Sequence, residues 1–168
     1  AASDVYKRQV LDYFQDCCTF ESEQTGVGMA VLKEQKRAWV LSAWQVIVKR
    51  YPKLGENIKV TTIPYGFRGF IGMRNFILET MDGEKLAWAN SYWSFLNTET
   101  GLPEKLTPAD TDPYDLGEKN RDGLCTKKDR ASEGTGSAEC FFRTEASSGH
   151  QSSCEQLSVY PDGSGSSA

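Results

Sequence analysis

Apolar residues follow two different periods along the first two thirds of the chain. Val10, Leu11, Phe14, Cys17 and Cys18 stand at helical spacing, with Asp12, Gln15, Asp16 and Thr19 on the other sides. This predicts an amphipathic helix over residues 9–24, broken by Gly26 and Gly28, then a shorter helical piece over residues 29–36. From residue 38 the pattern is β. Residues 38–51 (AWVLSAWQVIVKRY) are rich in β-branched and aromatic side chains, with Val40, Ser42, Trp44, Val46 and Val48 sharing one face and Gln45 and Lys49 on the other. The turn at residues 52–55 ends this strand, and a second covers residues 57–64, with Gly66 and Gly69 marking a kink or bulge. Long runs over residues 70–80 and 85–97 flank Asp82-Gly83, a hairpin signal because both residue types tolerate positive φ. One long helix followed by four antiparallel strands predicts an α+β fold, a curved sheet wrapped around the helix, with Phe14 and Trp44 buried.

Composition changes this picture in one place. Nearly all large apolar residues precede Leu106, whereas residues 122–168 are mostly Ser, Gly, Glu, Thr and Lys, with Phe141-Phe142 their single strong apolar pair. Such a segment cannot bury enough surface to offset its ordering entropy, so no stable element is expected there. The net charge of -4 and pI near 5.1 argue against binding nucleic acid or anionic lipid through bulk charge. No stretch has the apolar length to span a bilayer and no signal-peptide core is visible, so a cytoplasmic location is expected. Five cysteines occur without a CxxC pair, which indicates neither a zinc site nor a disulfide framework; no metal and no cofactor are expected. GxxxxGK[ST], HExxH and GxSxG are absent, and the single histidine, His150, lies in the polar tail.

The local sequences carry a more specific signal. LDYFQD at residues 11–16, GVG at 26–28, AWVLSAWQV at 38–46, RYPKLGE at 50–56, YGFRGF at 65–70 and DGEKLAWANSYWSFLNTETGLP at 82–103 together resemble the N-terminal hotdog domain of bacterial-type acyl-(acyl carrier protein) thioesterases. The ordered series is specific where one motif alone would be weak. The resemblance implies a hotdog domain over residues 10–106, an inter-domain linker over 107–121, and a second hotdog domain carrying a catalytic Asp-x-Asn-x-His segment. No in-frame residue of this chain matches that segment, so no catalytic residue carries over. The opening strand of the family, with its Tyr-Ser-Glu-Val-Asp type motif, is also missing.

Both departures have a reading at the level of the gene. Residues 4–9 (DVYKRQ) can be encoded by GAT GTG TAT AAG AGA CAG, a transposon end used in sequencing libraries, so residues 1–9 are expected to be an artefactual start. With suitable codons, a one-base shift turns residues 145–165 into KHHLDTNHHVNNCQYIQMAL, which contains Asp-x-Asn-x-His. The same shift allows residues 122–129 to read MDYAPRKI. At Cys154, Glu155 and Gln156 the shift permits only two residues each, and the needed one is among them. Residues 122–168 are therefore expected to be a frameshifted tail, and the chain a fragment, inactive by itself.

The resemblance implies hydrolysis of fatty acyl-carrier-protein thioesters in fatty acid synthesis, with this half supplying an acyl tunnel. Phe14, Cys18, Trp44, Val46 and Trp93 are the acyl-pocket candidates, each of which ordinary core packing would also explain. Lys33, Lys36, Arg37, Lys49, Arg50 and Lys53 are candidates to meet an acidic carrier protein, against the alternative of a solvated face. A homodimer is compatible with this reading. Two alternatives stay open: a non-catalytic acyl-binding hotdog module, and a single-hotdog acyl-CoA thioesterase or dehydratase. A dehydratase needs histidine with aspartate near the helix, and this helix has Asp12 and Asp16 without histidine.

Overall fold

A computed structural model describes residues 2–117 and 138–143. The first helix, α1 (Ala2–Gln24), begins ahead of the expected residue 9. No glycine or proline interrupts residues 2–9, and the Tyr6 ring lies 5.6 Å from that of Tyr51. Helix α2 spans Met29–Glu34. Two residues past its end stands Lys36, the single non-glycine residue with positive φ among the described residues (57°), where the chain reverses into the sheet. Strands β1 (Arg37–Val48), β2 (Asn57–Arg68), β3 (Ile71–Thr80) and β4 (Lys85–Asn97) follow, then the short helix α3 (Pro108–Thr111) and strand β5 (Ala138–Arg143). All pairings are antiparallel, in the order β1-β4-β3-β2-β5. The expected α+β hotdog arrangement is present.

The core lies between α1 and the sheet. Val10, Phe14, Cys17 and Cys18 from α1 meet Ile58, Val60, Phe76, Leu78, Leu86, Ala87 and Ala89. Phe14 is fully buried, its ring 5.0 Å from Phe76 and 6.0 Å from Trp44. Trp44 is half-buried against this cluster. Helical periodicity on α1 and period two on the strands thus converge on one apolar layer, as expected.

Two details of the strands differ from the sequence reading, and a third agrees with it. In β1 the pairing shifts between Leu41 and Ala43, leaving Ser42 as a bulge. Trp44, Val46 and Val48 keep the inner face, but Trp39 takes it on the other side of the bulge while Val40 and Ser42 are exposed. An extra residue reverses the alternation, and periodicity alone cannot place it. At the Asp82-Gly83 turn only Gly83 has positive φ (85°). The connection is four residues long, closed by Gly83 N–H donating to the Thr80 carbonyl at 3.0 Å. The bulge expected near Gly66 occurs between Pro64 and Gly66, where a proline inside a strand is tolerated.

The stretch read as a linker holds α3. There the Asp110 carboxylate accepts from Thr107 N–H at 2.9 Å and from Thr107 Oγ1 at 2.6 Å. Tyr114 is buried, its ring 5.6 Å from that of Phe67.

The tail departs from expectation at residues 138–143. There β5 pairs with β2 from Asn57↔Arg143 to Thr62↔Ala138, covering an edge that would otherwise present unpaired N–H and C=O groups. The rest of the polar tail, including His150 and the segments with an out-of-frame reading, lies outside the described residues.

Candidate functional site

The bulges in β1 and β2 lie at one level across the sheet, and beyond them its inner face changes character. On β3, Gly72 carries no side chain, and the Trp39 ring occupies that space: a Cβ at Gly72 would lie 3.0 Å from Cζ3 of Trp39. Trp39 also meets Phe95 (4.7 Å between ring centroids) and Phe67 (6.1 Å). Between this end of the sheet and the corner of α1 and α2 lies a cavity of about 620 Å³. Its apolar wall includes Leu32, Trp39, Phe67, Met73 and Trp93, and its polar positions include Gln15, Cys18, Ser22, Arg74 and Tyr114. That volume is in the range of ~300–1,000 Å³ that takes small-molecule ligands.

A buried ion pair stands at the cavity wall. Arg74 from β3, 8% exposed, donates through Nη1 to the Glu21 carboxylate of α1 and to Thr62 Oγ1, the latter at 2.7 Å. Its guanidinium carbon is 5.7 Å from the centroid of the Tyr114 ring. Burial opposes the charge on Arg74, but Glu21 more than offsets this and holds the guanidinium protonated. Burial pushes the Glu21 carboxyl up, against the pull of Arg74. Ser22 Oγ donates to the Cys18 carbonyl at 3.0 Å and lies 3.1 Å from the Tyr114 hydroxyl. Burial also raises the Tyr114 phenol.

Of the acyl-pocket candidates, Cys18 and Trp93 line the cavity. Phe14, Trp44 and Val46 belong instead to the adjoining aromatic and aliphatic core. The reason is geometric: the Phe14 ring faces Trp44 and Phe76 in the core, while Cys18 is a helical turn further toward α2.

The candidate cations divide. Lys33 lines the cavity, and Lys36 is exposed in an ion pair with Glu99. Arg37 is largely buried, pairing with Asp110 at 3.0 Å and standing 5.0 Å from the centre of the Phe95 ring. Arg50 bridges Glu56 at 2.9 Å and Glu84 at 2.8 Å. Hydrogen bonds to those two carboxylates raise its pKa further above the ordinary arginine value. Arg37 and Arg50 are thus structural ties. Lys49 and Lys53 lie beside that cluster, the Lys53 N–H donating to Glu56 at 2.7 Å.

Glu21, Arg74, Ser22 and Tyr114 were missed as site residues. Their signal was present: Glu21 continues the apolar face of Phe14, Cys17 and Cys18 at helical spacing, and a carboxylate on such a face requires a buried partner. Among the described residues no group of three or more His, Cys, Asp or Glu could hold a metal ion. What is assembled can enclose an apolar chain beside a fixed cation and two hydroxyls.

Residues 3–114 match the family described as the acyl-ACP thioesterase N-terminal domain. Among curated proteins, an 80-residue stretch is 34% identical to the chloroplastic acyl-[acyl-carrier-protein] hydrolase FATB1 of Cuphea viscosissima, covering 46% of this chain and 17% of that protein. Among solved structures, an acyl-ACP thioesterase from Bacteroides thetaiotaomicron superposes with a TM-score of 0.61 at 25% identity, over 70% of this chain and 48% of that one. The 12:0-ACP thioesterase from Umbellularia californica shares the fold, with a TM-score of 0.56 at 18% identity over 71% of this chain and 48% of that one. The chain therefore spans about half the length of these solved relatives. No helix among the described residues is long and apolar enough to cross a membrane.

Proposed function

The chain belongs to the acyl-ACP thioesterase N-terminal domain family, and from that premise we propose that it is the acyl-binding half of an enzyme releasing free fatty acid from acyl carrier protein. The observation that carries this is the cavity of about 620 Å³ walled by Leu32, Trp39, Phe67 and Trp93. The fatty acyl chain lies there, with Cys18 and Trp93 among its contacts, and Phe14, Trp44 and Val46 supporting the wall from behind. Water activation and oxyanion stabilisation come from a second hotdog domain with an Asp-x-Asn-x-His segment. Residues 10–106 form the first domain of such a tandem, and the present chain alone does not turn over.

Strand β1 pairs with β4 on one side only among the described residues, so its open edge suits the second domain, joined in tandem or supplied by another copy. An acidic carrier protein meets Lys33 and Lys36 at the cavity end of β1; Lys49 and Lys53 lie past the other end of that strand, and Arg37 and Arg50 serve the fold.

Chain-length dependence tests the cavity. Burying each methylene contributes ~0.8 kcal/mol, or about fourfold in affinity. Titrating the chain with saturated acyl-pantetheine thioesters of increasing length, followed by tryptophan fluorescence, should show affinity rising until the cavity is filled and then levelling. Binding indifferent to chain length would contradict the proposal.

A further inference from the structure

A cavity meant only for a saturated chain has no use for a guanidinium in its wall. Arg74 is 8% exposed and lines the cavity, yet both of its hydrogen bonds, to Glu21 and Thr62, leave from Nη1. Nε–H and the Nη2 hydrogens have no hydrogen-bond acceptor among the described residues. The neighbouring hydroxyls complement them. Ser22 gives its one proton to the Cys18 carbonyl at 3.0 Å, so the Tyr114 hydroxyl is the donor in its 3.1 Å contact with Ser22. The Tyr114 oxygen therefore retains a lone pair to accept a further proton. Arg74, with its unused donors, and Tyr114, with its unused acceptor, both line this cavity, the guanidinium carbon 5.7 Å from the centre of the Tyr114 ring.

We propose that this wall recognises an acyl chain carrying a hydroxyl group along its length, the oxygen accepting from Arg74 and the proton going to Tyr114; this rests on the acyl-binding reading of the cavity. A neutral group fits better than a carboxylate, because Glu21 already balances Arg74 and Asp115 adds negative charge nearby. A chain with no oxygen at that depth lays methylenes against these N–H groups and shuts them off from solvent unsatisfied, which is the kind of loss by which polar sites reject analogues lacking the matching group. A keto group can accept from Arg74 but has no proton for Tyr114, so it ranks between hydroxylated and plain chains.

The test is binding of uncharged N-acetylcysteamine thioesters to the 168-residue chain, followed by tryptophan fluorescence. One acyl length is used, with the hydroxyl moved stepwise along it, beside the keto and unsubstituted chains. One or two adjacent hydroxyl positions should bind about tenfold tighter than the unsubstituted chain. In Tyr114→Phe the hydroxylated and keto chains should become equal while the unsubstituted chain keeps its affinity. The paired replacement Arg74→Met with Glu21→Met avoids stranding a buried carboxylate and should abolish the preference altogether. Equal affinities at every hydroxyl position, or a preference that survives both replacements, would overturn the proposal while leaving the acyl cavity intact. Failure of all the thioesters to bind would overturn the acyl cavity as well.

Discussion

Gly72 and Phe14 show the two ways single residues hold this fold. A side chain at Gly72 would approach Trp39 at 3.0 Å and Phe67 at 3.3 Å, and Trp39 is itself held between Phe67 and Phe95. Gly72→Ala should therefore push the indole toward the cavity, destabilising the fold by ~1–3 kcal/mol through overpacking and weakening acyl binding. Denaturant unfolding and acyl titration measure the two effects, and an alanine variant with unchanged binding would show that Trp39 does not set the wall. Phe14→Ala acts in the opposite sense, opening a void between Trp44 and Phe76. It should cost ~3–5 kcal/mol, comparable to the whole stability of a small domain at ~5–15 kcal/mol; a loss under ~1 kcal/mol would contradict the packing described. The burial of Phe14 was legible in the sequence because helical spacing fixes it. The role of Gly72 was not, since it depends on an aromatic ring from a non-adjacent strand.

At the scale of elements, polar ties and strand edges decide more than propensity does. Arg50, just past β1, clamps Glu56 before β2 and Glu84 before β4. Hydrogen bonds from Arg50 and from the Lys53 backbone hold the Glu56 carboxyl down to about 2, from an ordinary 4.5. Because the folded pKa is the depressed one, the stabilisation is complete above about pH 4.5 and is lost as pH falls toward 2. The stability gap between the parent chain and Glu56→Gln should be constant near neutrality and shrink through that window. A gap independent of pH would mean that the Arg50 clamp does not hold Glu56 in solution. Strand β5 makes a second test, since it covers the outer edge of β2. Ending the chain after residue 121 should speed hydrogen exchange at β2 amides while the pairing of β1 with β4 stays protected. Unchanged exchange in β2 would mean that the edge gains nothing from β5. Elements β1 to β4 could be read from alternation and turns. Strand β5 could not, because its placement follows from the needs of the β2 edge rather than from its own composition. Helix α3 had a readable Thr107-to-Asp110 capping signature, set in a stretch too short for periodicity to register.

For the whole molecule, the motif series from residue 11 to residue 103 identified the fold and the family, because each motif marks a turn or a core face that the architecture requires. The cavity was only partly legible: Cys18 and Trp93 could be placed on it, whereas the β1 bulge redirected the choice from Trp44 to Trp39. The Arg74–Glu21 pair joins α1 to β3 across 53 positions, a separation that no local pattern spans. In the division of labour proposed for the whole enzyme, this domain holds the acyl chain and a second domain breaks the thioester. Free-thiol release from fatty acyl-carrier-protein thioesters tests it most directly. The 168-residue chain is assayed beside a version whose reading frame is shifted by one base near residue 121 and continued into a second hotdog domain. No turnover is expected from the first, and clear turnover from the second across some range of chain lengths. Turnover by the 168-residue chain alone would contradict that division and make this a self-sufficient single-hotdog thioesterase.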